Sequence, residues 1–183
     1  MEIRITTRQI LIVLLIFAWI IFVGICIEAG GFLTSIVVAI VDPAKAMHFY
    51  RMTEFSALFN FDRGEFFVVT GIISVIEIMK AWLFYLIIRI LQTKKLDLTN
   101  PFSEDLRRFI FGLSYIAFLI GLFSYYGLKY SYRLTLKGVQ MPDAQSLHLG
   151  GADVWLFMAI ILYVIAQIFK RGIEIQKENE LTI

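Results

Sequence analysis

The chain has 183 residues, of which 59% are hydrophobic and 17% charged, and its formal net charge is +2. Soluble globular proteins are nearer half apolar and a quarter charged, so this composition argues against a soluble domain. The small net charge argues against a nucleic-acid-binding surface, and no direct nucleic-acid binding is expected. The single cysteine, Cys26, excludes an internal disulfide.

Four apolar segments are long enough to form membrane-spanning helices, since about 20 residues cross the hydrocarbon core. The first is the unbroken run Ile10–Ile27 between Arg8 and Glu28, which is too long for the apolar core of a cleaved signal peptide. The four spans cover about 8–28, 65–91, 106–128 and 152–171. The sequence therefore predicts one all-α membrane domain over residues 1–183, a four-transmembrane-helix bundle embedded in the lipid bilayer.

The direction of the spans follows from the positive charges beside them, because Lys and Arg are in excess on the cytoplasmic side. Ten Lys and Arg residues lie on the side of the two termini and six on the other side. We therefore expect both termini, the 92–105 loop and the 172–183 tail in the cytoplasm. The 29–64 and 129–151 loops are then external.

The two external loops are predicted to contain structure of their own. Gly30-Gly31 is expected to end the first helix, which leaves Phe32–Val41 as an interfacial or re-entrant segment too short to span. The aromatic stretch after Asp42-Pro43 is typical of a short helix at the headgroup level. In the second loop, Tyr130–Lys137 alternates apolar and polar residues, which indicates either a small strand segment or a continuation of the third helix.

An acid and a lysine fall inside the second span. Glu77 is near its middle, where a lipid-facing carboxylate is costly, and Lys80 follows at i+3, close enough to pair with it. Alignment of the spans at their midpoints adds polar residues of the third and fourth helices. The network is interpreted either as a proton relay or ion or substrate site, or as a polar cluster that fixes helix packing. Its predicted members are Thr70, Ser74, Glu77, Lys80, Tyr115, Tyr163 and Gln167.

The remaining residues give no indication of catalysis. His48 and His148 both fall in external loops and are interpreted as surface residues, so no metal site and no cofactor is predicted. GxSxG, HExxH, a phosphate-binding glycine loop and a CxxC pair are absent from the sequence. An enzyme is not expected.

Two stretches on the predicted cytoplasmic side are candidates for partner binding. The first is typical of a helix start, with Asn100 as N-cap and Pro101 at the first helical position. The second can continue the fourth helix and ends on Leu-Thr-Ile rather than on charge. A capped start of the third span and a solvated helix end are the alternative interpretations. The candidates are Asn100, Pro101, Phe102, Arg107, Arg108, Arg171, Gly172, Glu180, Leu181 and Thr182.

These stretches resemble the bacterial domain-of-unknown-function family 2975. The similarity covers the second half of the chain, and the first half only in hydropathy and length; the chain ends in Ile where Val is common. The resemblance implies a small four-span protein of the bacterial inner membrane, often encoded beside a small helix-turn-helix regulator. The matching residues are Asn100-Pro101-Phe102 with the acidic turn and Arg107-Arg108, Ile165–Phe169, Arg171-Gly172 and Glu180–Ile183.

Three functions remain as hypotheses. The leading one is a non-enzymatic membrane sensor or anchor that acts with such a regulator through the Asn100–Arg108 loop and the Lys170–Ile183 tail. The second is a small transporter or proton-coupled membrane protein centred on Glu77 and Lys80. The third is a homo-oligomeric membrane scaffold.

Overall fold

The computed structural model describes residues 7–43, 52–93 and 102–180. Within these ranges the chain forms five helices and no strand. Four of the helices are long and apolar enough to cross a membrane, which confirms the prediction of a multi-pass all-α protein. The helices are α1 (Thr7–Val41), α2 (Met52–Phe61), α3 (Arg63–Gln92), α4 (Glu104–Leu136) and α5 (Ala152–Glu180).

The centre of the bundle is the α3–α4 pair. α1 and α2 pack on α3, whereas α5 packs on α4. The two central helices are accordingly the most buried. Within its most apolar stretch, α1 has 6% of its residues buried, compared with 33% in α3 and 39% in α4. The outward faces of α1 and α5 are apolar, as required of helix surfaces that face lipid.

α1 is one continuous helix, so the predicted break at Gly30-Gly31 is wrong, and Phe32–Val41 is not a separate interfacial or re-entrant segment. The Thr34 and Ser35 hydroxyls donate hydrogen bonds of 2.8 Å to the carbonyls of Gly30 and Gly31. The helix continues through the two glycines because a break in the helix within lipid would leave backbone polar groups without hydrogen-bond partners.

The short helix predicted after Asp42-Pro43 is α2, and the side chains of Phe55 and Phe59 enter the core, whereas Phe61 is exposed. The ring of Phe55 lies 6.2 Å from that of Phe32 in α1, and the ring of Phe59 lies 5.1 Å from that of Phe66 in α3. All four rings are buried. These edge-to-face contacts fix α2 against the ends of two spanning helices.

The start of α4 differs from the prediction. Ser103 is its N-cap, and the Ser103 hydroxyl accepts a hydrogen bond of 3.2 Å from the Leu106 N–H. Since Phe102 is not helical, Asn100 as N-cap and Pro101 as first helical residue are wrong for this helix. Asn100 and Pro101 themselves lie outside the described residues.

The end of α4 decides between the two interpretations of Tyr130–Lys137. The helix continues to Leu136, so the strand segment is wrong and the continuation of the third span is confirmed. Gly138, with φ of +86°, ends the helix, and the Val139 N–H donates to the Leu134 carbonyl at 3.2 Å. This is a Schellman arrangement, in which glycine takes the left-handed conformation at low cost.

The spanning helices are antiparallel to their neighbours, which gives the bundle two distinct ends. At the terminal end, α3 ends at Gln92, α4 begins at Glu104 and α5 finishes at Glu180. At the loop end, α2 and the 137–151 loop lie beside the start of α3. Here the hydroxyl of Tyr130 in α4 and the amine of Lys137, the residue that follows α4, donate hydrogen bonds to Glu65 of α3.

Candidate functional site

Four ionisable side chains from three parts of the fold meet inside the bundle. Glu77 of α3 is 2% exposed, and its Oε1 accepts a hydrogen bond of 2.8 Å from Lys80 Nζ. The same oxygen lies 3.2 Å from His148 Nδ1 in the 137–151 loop. His148 Nε2 is 3.9 Å from Glu28 Oε2 of α1. We name Glu28, Glu77, Lys80 and His148 the Glu77 cluster.

Two buried leucines hold His148 at this position. Leu147 and Leu149 flank it in the chain, and both are fully inside the core. Leu149 fits against Gly127 of α4, where a Cβ atom would lie 3.0 Å from both Leu149 δ-carbons and 3.1 Å from Ile72 Cγ2 of α3. The loop is therefore packed between α3 and α4, so the imidazole reaches the middle of the bundle.

The backbone of His148 is in the left-handed region, with φ of 55°. The turn repeats the hydrogen-bond pattern at the end of α4: the His148 N–H donates to the Gln145 carbonyl and the Leu149 N–H to the Ala144 carbonyl. His148 thus occupies the position that Gly138 fills in the other turn. A residue with a Cβ atom costs about 1 kcal/mol more than glycine in this conformation. His148 adopts this left-handed conformation in spite of that cost.

Asp143 stabilises the start of the same turn. Its carboxylate accepts a hydrogen bond of 2.7 Å from the Ser146 N–H. This backbone hydrogen bond, together with the Ser146 hydroxyl, holds the pKa of Asp143 below its ordinary value, because both favour the ionised form. An aspartate in such a turn restrains the chain ahead of His148.

The Glu77 cluster holds two carboxyl groups, one amine and one imidazole, and it is accessible from one side. Lys80 also donates to the His148 carbonyl at 3.3 Å, so the lysine contacts both the carboxylate and the loop backbone. Lys80 and His148 line an open cavity of about 490 Å³ together with Ala144, Gln145 and Gly150. This geometry allows a proton or a small polar ligand to reach the cluster from the loop.

The two hydroxyl residues of the predicted network share the buried face of α3 with Glu77 but do not bond to it. Thr70 donates to the Phe66 carbonyl at 2.7 Å, and Ser74 donates to the Thr70 carbonyl at 2.8 Å. Their hydroxyls are therefore satisfied by the backbone of their own helix, which is the usual solution for such residues in spanning helices.

The structure does not bring the network residues of the third and fourth spans to Glu77. Tyr115 is 59% exposed and Tyr163 is 48% exposed, and their rings lie 5.0 Å and 5.7 Å from the ring of Phe111. Gln167 is also exposed. Tyr163 and Gln167 lie on α5, which packs on α4 rather than on α3, and Tyr115 lies on the exposed surface of α4. Equal depth in the membrane therefore does not imply contact.

The two candidate partner-binding stretches meet at the terminal end. The ring of Phe102 lies over Gly172, where a Cβ atom would be 2.5 Å from Phe102 Cδ1, and its centroid is 5.5 Å from that of Phe169. Arg107 and Arg171 form ion pairs within their own helices, with Glu104 at 3.0 Å and with Glu174 at 3.1 Å. Arg108 is 3.4 Å from Glu104. Glu180 is the last residue of α5, whereas Leu181 and Thr182 lie outside the described residues.

His148 and Glu28 are the site residues that the sequence did not identify. His148 was interpreted as a surface residue because it falls in an external loop. Its immediate neighbours carry the missed signal, since Leu147 and Leu149 enclose it and Gly150-Gly151 follows.

No group of three or more His, Cys, Asp or Glu side chains in the described ranges is arranged to hold a metal ion. In comparisons with known proteins, no family model matches the chain, and no curated protein or solved structure matches it either. The resemblance to family 2975 therefore stays a prediction.

Proposed function

We propose that this protein is a non-enzymatic sensor or anchor of the bacterial inner membrane that acts with a small cytoplasmic helix-turn-helix regulator. The observation that carries the proposal is the contact of Phe102 with Gly172, which joins the segment before α4 and the last turns of α5 into one surface. The excess of Lys and Arg beside this end supports a cytoplasmic location for it and for both termini.

The exposed part of Phe102 is the centre of the proposed docking surface. Phe102 is 40% exposed. Two ion pairs adjoin this contact in the sequence, Arg107 with Glu104 in α4 and Arg171 with Glu174 in α5, so charged groups stand next to an apolar centre. This combination is typical of surfaces that bind another protein.

The Glu77 cluster is the proposed sensing element. It connects the 137–151 loop to α1 and α3 and lies beside a cavity at the loop end. α4 contacts this loop through Gly127 and begins beside Phe102, so one helix links the two regions. A change in the loop that moves Leu149 against Gly127 would therefore be transmitted along a stiff 33-residue helix.

The test is a photocrosslink in native membranes from a photoreactive phenylalanine analogue at position 102. The matched control carries the analogue at Phe118, which is exposed on α4 away from the terminal end. Recovery of a helix-turn-helix protein from position 102 and not from position 118 would support the proposal. Loss of that product in a Gly172→Leu variant would locate the contact. The proposal fails if position 102 captures no DNA-binding protein, or if both positions capture the same one.

A proton-coupled or transport function is the second candidate, and the cavity beside Lys80 and His148 favours it. Here Glu77 would exchange a proton with the loop side of the membrane. Proton uptake into proteoliposomes, compared between the natural protein and Glu77→Gln, tests this function. Equal uptake by the two proteins, or uptake no greater than in empty liposomes, would exclude it. The homo-oligomeric scaffold stays a prediction, which the mass of the purified protein in several mild detergents would check.

A further inference from the structure

A second cavity, of about 480 Å³, lies at the terminal end between the last turns of α3 and the first turns of α4. It is separate from the Glu77 cluster and from the contact of Phe102 with Gly172. One side of its wall is apolar and the other carries charged and hydroxyl groups. The apolar side consists of Leu86, Ile90, Phe109 and Gly112, and the polar side of Arg89, Thr93, Asp105 and Arg108.

We propose that this cavity binds the headgroup phosphate of an anionic phospholipid. A guanidinium group matches a phosphate with two parallel N–H donors, and the cavity offers one such group from each helix, Arg89 and Arg108. Its volume is within the usual range for sites that hold small molecules. Basic pockets between spanning helices are a known setting for phospholipid headgroups.

The charge of the wall suits an anionic phospholipid. Two arginines and Asp105 give the lining one net positive charge, which balances the net charge of a singly anionic lipid such as phosphatidylglycerol, whereas the choline ammonium of phosphatidylcholine already neutralises its own phosphate. Arg108 can turn towards the cavity because Glu104 already has a closer partner: Arg107 Nε is 3.0 Å from its carboxylate, whereas Arg108 Nε is at 3.4 Å. Arg108 is also largely exposed, so the movement is not blocked by packing.

The apolar side of the wall distinguishes a lipid from a free phosphate. Leu86 in α3 and Gly112 in α4 lie about one helical turn deeper in the bundle than Arg89 and Arg108, in the direction that an acyl chain takes from the headgroup level. Gly112 has no atom within 4 Å of where its Cβ would be, so the α4 backbone is open to a ligand there. A soluble phosphate would use the arginines and leave this apolar wall unused.

The test is binding of phosphatidylglycerol to the full-length protein in phosphatidylcholine nanodiscs, measured by native mass spectrometry. The variant Arg89→Gln/Arg108→Gln is compared with Lys129→Gln/Arg133→Gln, which removes the same charge from exposed residues at the loop end. We expect about tenfold weaker binding in the first variant and unchanged binding in the second, since each arginine supplies charge-assisted hydrogen bonds. Gly112→Phe, which fills the cavity without a charge change, should weaken binding to a similar degree.

Each outcome decides the assignment. Equal phosphatidylglycerol binding by the two double variants would overturn the proposal. The lipid would then respond to the total positive charge of the protein and not to this cavity. Equal affinity for phosphatidylcholine would overturn the preference for an anionic headgroup. If glycerol 3-phosphate or inorganic phosphate protected the protein from thermal unfolding as well as the lipid does, the site would belong to a soluble phosphate. Unfolding temperatures in pure phosphatidylcholine confirm that each variant is folded.

Discussion

His148 Nδ1 lies 3.2 Å from Glu77 Oε1, although 71 positions separate the two residues in the chain. The contact joins the loop between α4 and α5 to the middle of α3. Because Leu147 and Leu149 are buried on both sides of the histidine, they fix its backbone, and the position of the loop sets how closely the imidazole approaches the carboxylate. The position of the loop and the state of the Glu77 cluster are therefore coupled.

Replacement of His148 by glycine should be less destabilising than replacement by alanine. Both variants lose the ring, but glycine accepts φ of 55° at low cost, whereas alanine adds about 1 kcal/mol of backbone strain. Chemical unfolding in detergent measures the difference. Gly138→Ala, at the equivalent position of the other turn, is the control and should also be destabilised. If His148→Ala were as stable as His148→Gly, the left-handed conformation would be contradicted.

The pair of Glu77 and Lys80 should show a large energetic coupling. A single substitution, Glu77→Gln or Lys80→Met, leaves the partner buried without its counter-charge and should cost about 2 kcal/mol or more. The double variant should be more stable than the sum of the two losses indicates, with a coupling of about 1 kcal/mol or more. A double-mutant cycle from unfolding curves gives this value.

An exposed pair with the same spacing provides the control for that cycle. Arg107 and Glu104 are also an i,i+3 pair, but their side chains are 30% and 44% exposed, compared with 16% and 2% for Lys80 and Glu77. Their coupling should be below about 0.5 kcal/mol, since exposed ion pairs contribute little. Equal coupling in the two cycles would mean that burial does not strengthen the contact of Glu77 with Lys80.

Part of this architecture could be predicted because it depends on local properties of the chain. Each span is an apolar run of sufficient length, and the i+3 spacing alone places Lys80 beside Glu77. The break at Gly30-Gly31 was predicted from a rule for water-exposed helices. In lipid the cost of unpaired backbone groups outweighs the flexibility of glycine.

The remainder depends on which helices are neighbours, and hydropathy does not contain that information. Tyr163 has a depth similar to that of Glu77, but it lies on the helix that packs against α4. His148 belongs to a loop in which the next residue, Leu149, fits beside Gly127, and that fit requires the three-dimensional arrangement of α3 and α4. The site was therefore half predicted: its acid and lysine came from one helix, and its histidine came from a distant loop.

A methyl group at Gly121 should loosen the packing of α5 on α4. A Cβ atom there would lie 2.8 Å from Leu156 Cγ and 3.0 Å from the Leu156 backbone nitrogen, so the helices must move apart. Gly121→Ala should lower the free energy of unfolding by about 1–3 kcal/mol. Gly71→Ala is the control, since its Cβ atom would meet nothing within 4 Å. Equal effects of the two substitutions would contradict the close approach at Gly121.

Removal of the Asp143 carboxylate should increase amide exchange in the turn that holds His148. Asp143→Ala loses the hydrogen bond with the Ser146 N–H, whereas Asp143→Asn keeps an acceptor and should exchange more slowly than Asp143→Ala. Hydrogen–deuterium exchange of residues 146–149 measures the effect. Unchanged exchange in Asp143→Ala would show that the buried leucines alone hold the turn.

The same hydrogen bond should make the turn sensitive to acid. Because the pKa of Asp143 is lowered in the folded protein, its contribution is fully present above the unfolded pKa of about 4. It is lost as the pH falls through the lower folded pKa. Exchange of the Ser146 amide, corrected for its intrinsic pH dependence, should therefore increase in the natural protein over that range. Asp143→Asn should show no such step, because its amide does not titrate.

A methyl group at Gly172 should displace Phe102 and loosen the start of α4. Its Cβ atom would lie 2.5 Å from Phe102 Cδ1 and 2.6 Å from Phe102 Cε1, so the ring must leave its place over α5. Phe102 directly precedes the N-cap Ser103, so displacement of the ring should disturb the hydrogen bond between the Ser103 hydroxyl and the Leu106 N–H. Gly172→Ala should therefore increase amide exchange at Leu106 and lower the free energy of unfolding by about 1 kcal/mol.

Comparison with Phe102→Ala separates this displacement from a general effect on α5. If the methyl group acts by displacing the ring, Gly172→Ala should cost little in a chain that already carries Phe102→Ala, so the two losses should not add. Gly24→Ala, which meets nothing within 4 Å, should leave exchange at Leu106 unchanged. Full additivity of Gly172→Ala and Phe102→Ala would mean that the contact does not join the two segments. The surface proposed for the regulator would then lose its structural basis, because its two halves would be independent of each other.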